Sequence, residues 1–179
     1  MGSGSAALRQ RRSLEKIADY HNDVVASLKA FFSETAATAS DRFLGYSPRQ
    51  MEEELAARVD ETDIRSALTV LTSLEASFRI DYEFRCEKRM KDSLSRAFRA
   101  IQKSRGQNIR LDQDIFESWT KYATGSRQLI GDLRGAFRYR NWLAHGHYRE
   151  PKLGRKYDFN YVYGLADEVL RVFPFCKLK

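Results

Sequence analysis

The chain has 179 residues, 42% hydrophobic and 31% charged, with only 3 Pro and 10 Gly. That is enough apolar material for one buried core and excludes a disordered chain. Lys and Arg number 31 against 24 Asp and Glu, a net charge of +7, so the expected partner is anionic, with nucleic acid first.

Two cysteines, Cys86 and Cys176, exclude a disulfide framework or a Cys-rich zinc site, and with only 3 His in the chain no metal site is expected. Neither a signal peptide nor a membrane span is visible, so the expected location is the cytoplasm, with no membrane partner. Residues 1–7 read as an irregular start outside the fold, and residues 8–179 as one helical domain. There is no internal repeat, Gly-rich phosphate loop or nucleophile elbow.

In chain order, the first helical pattern runs from about Leu8 to Ala39, with Leu14, Ile17, Val24, Val25, Leu28, Phe31 and Phe32 as its apolar positions. The Thr/Ala/Ser run from Thr35 weakens its end. Phe43 to Pro48 is a turn in which Ser47 can cap a short helix with Pro48 in its first position, expected to end near Val59. The longest signal spans Glu61 to Lys103, opened by Asp60 or Thr62. Ile64, Leu68, Leu71, Phe78 and Tyr82 share one face of it. After Arg89 the stripe shifts to Met90, Leu94, Ala97, Phe98 and Ile101, so a bend or break is expected there.

Gly106 closes that run. A shorter helix, Leu111 to Tyr122, starts at Asp112 and offers Ile115, Phe116 and Trp119 to the core. A Thr124-Gly125-Ser126 break precedes the next helix, whose stripe is Ile130, Leu133, Phe137 and Ala144. The last helix, Phe159 to Phe173, opens at Asp158 and stops at Pro174, with Tyr161, Val162, Leu165, Val169 and Leu170 inward.

Three features carry chemistry. Arg140 sits in the middle of an apolar stripe, where an unpaired cation is costly. His145 follows five residues later, just ahead of Gly146, where a helix can end. An ideal helix sets Arg140 and His145 about 140° apart, whereas Asn141 and His145 share a face. Glu75 is the second feature, a carboxylate on the Ile64–Tyr82 face. Either Arg140, Arg79 or His145 pairs with it, or the helix turns it to solvent. The third is a basic, partly aromatic run just past the motif: His147, Tyr148, Arg149, Lys152, Arg155 and Lys156. His21 stands alone on the first helix and reads as a packing residue.

The stretch Arg140-Asn141-Trp142-Leu143-Ala144-His145 resembles the signature of HEPN domains: Arg, a polar residue directly after it, then His. Tyr139 through Gly146 is most similar to the RiboL-PSP-type branch. The resemblance implies an all-α, antiparallel helical bundle of HEPN type. It further implies a homodimer whose two motifs line one cleft, and metal-independent endoribonuclease activity without a cofactor. The setting implied is a prokaryotic toxin or antiviral component, with RNA as substrate and a nucleotidyltransferase-type antitoxin or other defence protein as partner.

Catalysis would fall to Arg140, Asn141 and His145. RNA contacts would fall to Arg138, His147, Tyr148, Arg149, Lys152 and Arg155, with Glu75 and Arg79 in support. The alternative is a HEPN module that has lost catalysis and binds a nucleotide or a protein partner.

Overall fold

The computed structural model describes residues 4–33, 41–123, 127–144 and 154–176, and within them every regular element is helical. Six α-helices follow one another: α1 (Gly4–Phe31), α2 (Pro48–Glu87), α3 (Ser93–Arg105), α4 (Glu117–Tyr122), α5 (Arg127–Ala144) and α6 (Phe159–Val172). A 3₁₀ turn, Asp41–Phe43, precedes α2, and a π-helical turn, Leu111–Phe116, runs into α4.

α2 is the element on which the others assemble, since α1, α3, α5 and α6 all pack against it. Ser47 starts it with a capping box: its hydroxyl accepts from the Gln50 amide, and the Gln50 side chain accepts from the Ser47 amide. Pro48 takes the first helical position, where its missing N–H costs nothing. The helix does not end near Val59 as the sequence suggested. Residues 56–64 hold no Gly or Pro, and the Arg58–Glu54 and Arg65–Glu61 pairs at four-residue spacing support the helix on either side of that point. The longest helix is therefore Pro48–Glu87, not a segment within Asp60–Lys103.

The break expected near Arg89 is present. Arg89 adopts φ 47°, and two hydrogen bonds close the end of α2: Met90 N–H to Arg85 carbonyl at 3.3 Å and Arg89 N–H to Cys86 carbonyl at 3.2 Å. That is the bonding pattern of a Schellman cap, with Arg in the place glycine usually fills. Asp92 then caps α3 by accepting from the Ser95 amide at 2.9 Å. Other ends follow their residues as well: Gly106 (φ 60°) closes α3, and Asp158 accepts from the Tyr161 amide at the start of α6. α1 begins at Gly4, ahead of the expected Leu8, and ends at Phe31. The run at residues 34–40 and the break at residues 124–126 lie outside the described residues.

The core centres on Phe78 of α2, whose ring meets Phe116, Trp119, Phe173 and Phe175 edge-on at 5.0–6.2 Å between centroids. Leu71, Ile130, Leu133, Val162 and Val169 fill the space around it. Tyr161 and Leu170, expected inward, are only half-buried at its edge. A polar knot ties the C-terminal strap to this core. Asp81, fully buried, holds Arg85 at 2.6 Å and accepts from the Cys176 amide at 2.6 Å, while Arg85 donates to the Pro174 carbonyl at 2.8 Å.

Candidate functional site

α5 presents Leu129, Ile130, Leu133, Ala136 and Phe137 to the core, and one turn further along that same stripe comes Arg140. A guanidinium in this position faces α2 rather than water, and α2 answers with Glu75. Arg140 Nη2 lies 3.1 Å from Glu75 Oε2, and Arg79 holds the other oxygen, Oε1, at 2.8 Å. Glu75 is thus bridged by two guanidiniums, each to its own oxygen, with 17% of its side chain exposed. Arg79 also reaches from Nη1 to the Ile109 carbonyl at 3.4 Å, which links the cluster to the turn before the π-helical segment.

Arg140 keeps 34% of its side chain exposed, so the carboxylate fixes one edge of the guanidinium without sealing it in. Its Nη1 donates to Asn141 Oδ1 at 3.3 Å. Of the sequence-derived candidates, the structure therefore brings Arg140, Asn141, Glu75 and Arg79 into one chain of contacts. Of the partners open to Glu75 within the described residues, it takes both arginines. His145, His147, Tyr148, Arg149 and Lys152 lie outside the described residues.

Arg138 does not join the cluster. Two residues before Arg140, it projects from the opposite side of α5 and is exposed. Arg155 sits elsewhere too: it pairs with Asp132 at 3.6 Å and lies over the Tyr161 ring, donating to that phenol. Beside it runs an aromatic row, Trp142, Tyr139, Tyr157 and Tyr161, with successive centroids 5.4–5.9 Å apart. Burial, with Asp60, Asp158 and Asp63 nearby, pushes the Tyr139 phenol above its ordinary value, and burial does the same for Tyr157. Both phenols stay protonated near neutral pH and are unsuited to act as bases there.

The sequence reading missed two arrangements. Gly135 of α5 lies so close to Tyr157 that a Cβ built there would stand 2.0 Å from the phenolic oxygen. A glycine in a helix interior is the signal for such an approach. His21 is buried and packed, as read, but it is not isolated. It stacks on Phe159 at 3.9 Å, its Nδ1 meets Ser66 Oγ at 3.1 Å and its Nε2 meets Asp63 Oδ1 at 3.4 Å. Asp63 and Ser66 stand three apart on α2, so they share a face, and that polar pair beside His21 was the available signal.

What the Arg140 cluster offers chemically is a fixed cation with free edges at the end of a helix, held from behind by a carboxylate and flanked by an amide. No described helix is long and apolar enough to cross a membrane. No family model matches the chain, and no curated protein or solved structure matches it.

Proposed function

We propose that this chain is a HEPN-type endoribonuclease domain, a toxin or antiviral component that acts as a homodimer on RNA. The observation that carries the reading is Arg140. It is braced by Glu75, in contact with Asn141 and still a third exposed, at the end of the helix that leads into His145.

The chemistry asks little more of the protein. RNA carries its own nucleophile, the ribose 2′-hydroxyl. Its oxygen forms a bond to the adjacent phosphorus as the bond to the 5′-oxygen breaks, leaving a 2′,3′-cyclic phosphate and a 5′-hydroxyl. One proton leaves the 2′-hydroxyl and one reaches the departing 5′-oxygen, and His145 is the group suited to carry either. Arg140 stabilises the charge that builds on the phosphate, and Asn141 orients a phosphate oxygen or the imidazole.

A second reading rests on the same ion pair. Glu75 already neutralises part of the Arg140 charge, as it would in a HEPN module that binds a nucleotide or a protein partner without cutting. Incubation of the chain with mixed RNA in EDTA separates the two. Fragments ending in cyclic phosphate, lost with Arg140→Ala and His145→Ala, support the nuclease. Intact RNA, or cleavage that survives both substitutions, defeats it. DNA should resist, because it lacks the attacking hydroxyl.

A further inference from the structure

The strongest unassigned feature outside the Arg140 cluster is the junction of α2 and α3. Every charged residue of α3 is a cation: Arg96, Arg99, Lys103 and Arg105. Arg105 is held by Asp114 at 3.1 Å. The other three recur at spacings of three and four and so line one face of the helix. Arg99 donates to the Met90 carbonyl at 2.6 Å, and no ion pair joins Arg96, Arg99 or Lys103 to a carboxylate among the described residues. Arg89, held at φ 47°, adds its side chain from the turn above. Where the end of α2 meets α3 lies an open cleft of about 730 Å³, lined by Glu83, buried Cys86, Glu87 and Arg89 from the α2 end and by Arg99 and Lys103 from α3.

We propose that this cleft and the Arg96–Arg99–Lys103 stripe form a second RNA-backbone subsite. The proposal rests on the RNA-directed reading above and extends it. Three cations along one helix face span about 10 Å, a track for successive phosphates rather than a socket for one. Arg99, anchored through one edge on a carbonyl, keeps other donors for a phosphate. The wall is mixed, and the mixture selects the ligand. Glu83 and Glu87 repel any anion, but each can accept from a ribose 2′-hydroxyl, which RNA supplies at every nucleotide beside its phosphate. Glu83 also follows Glu75 on α2 by eight residues, a rise of about 12 Å, so a strand seated at Arg140 could reach the cleft. An anionic membrane is the poorer fit, because the apolar side of α3, Leu94 and Phe98, is already buried in the core.

The test measures binding of a labelled oligouridylate by fluorescence anisotropy in EDTA across a range of salt. It compares the full chain with a variant carrying R96Q, R99Q and K103Q. Each lost phosphate contact on single-stranded RNA lowers the slope of log affinity against log salt by about 0.7. The triple variant should therefore lose about 2 from the slope and bind at least about tenfold more weakly at low salt. A control with K16Q, K29Q and R171Q removes the same charge from exposed positions on α1 and α6 and should keep the wild-type slope.

Equal slopes for wild type and the stripe variant overturn the proposal. So does loss of binding to anionic vesicles with RNA binding intact. If Arg99→Gln disturbs the fold, the pair R96E and K103E, both exposed, gives the same readout. RNA binding that depends on the stripe without any cleavage supports the subsite while the nuclease reading fails. Cleavage with a stripe-independent slope does the reverse.

Discussion

Glu75 serves two arginines at once, and that arrangement decides what its loss would do. Removing its charge leaves Arg140 facing α2 without a counter-ion. Breaking a fully buried pair costs about 3–5 kcal/mol, but Arg140 is a third exposed and can turn toward water. Glu75→Gln should therefore lower stability by about 1–2 kcal/mol in urea melts. If the nuclease reading holds, cleavage should fall by about 10²-fold as well, because a guanidinium that wanders no longer meets the phosphate in register. Cleavage unchanged in a destabilised variant would make Glu75 a packing residue only. Both halves of this pair were legible before any coordinates, and for one reason. A charge within an apolar stripe needs a partner, and Arg140 and Glu75 each broke such a stripe. Arg138, expected to contact RNA, stands exposed on the other side of α5, because two residues along a helix turn a side chain by about 200°. His145, to which the proposal assigns the proton transfer, lies outside the described residues.

Helix ends were readable where a residue with a special backbone or cap stood at them, as at Ser47-Pro48, Gly106 and Asp158. The end expected near Val59 was misread, because nothing local stops the helix there: residues 56–64 hold no Gly or Pro, and α2 runs on to reach the core from Ser66 onward. At residues 88–92 only the shift of the apolar stripe gave notice, since an Arg takes the left-handed position. L-residues there cost roughly 1–2 kcal/mol, part of which glycine gives back through its looser unfolded chain. Arg89→Gly should thus raise stability by about 0.5–1 kcal/mol, seen as a higher Tm, while weakening RNA binding if the cleft is a subsite. A lower Tm would mean that the Arg89 side chain contributes more than its backbone costs.

Asp92 makes the same junction sensitive to acid. Partial burial acts upward on its carboxyl, but hydrogen bonds from the Ser95 hydroxyl and amide, with Arg85 nearby, outweigh it and hold the carboxyl below its ordinary value. A depressed carboxyl contributes stability that is present above its unfolded pKa of about 3.9 and lost as pH falls through the folded value. Asp81 works with the opposite sign, because burial raises its carboxyl. The difference between two Tm curves therefore carries the test. Asp92→Asn keeps a capping acceptor and should lose less Tm than wild type as pH drops below about 4. On α5, Gly135→Ala should cost about 1–3 kcal/mol by driving a methyl group against the buried Tyr157 ring, whereas Gly131→Ala meets open space and should stabilise.

The six helices form one core around α2, and that core fixes where α5 delivers its last turn. The all-helical class was readable from the sequence, because long apolar stripes without Gly or Pro leave little else to form. A homodimer was expected from the sequence as well, on the angle between Arg140 and His145 and on the family resemblance, and it belongs to the proposal. Arg140 points inward at α2, and on a continuing helix His145 would lie about 140° around the axis. One protomer then has difficulty aiming both groups at one phosphate, and a two-fold pair with each supplying one group removes the difficulty. If the nuclease reading holds, Arg140→Ala and His145→Ala, each expected to be inactive alone, should therefore rescue each other when unfolded and refolded together. Random pairing gives mixed dimers in about half the molecules, each with one complete site of two, so activity should return to about a quarter of wild type. Light scattering on the same samples should show a dimer throughout. A dimer with no rescue would place Arg140 and His145 of one protomer at the same phosphate, and a monomer that cleaves RNA would remove the partner from the mechanism altogether.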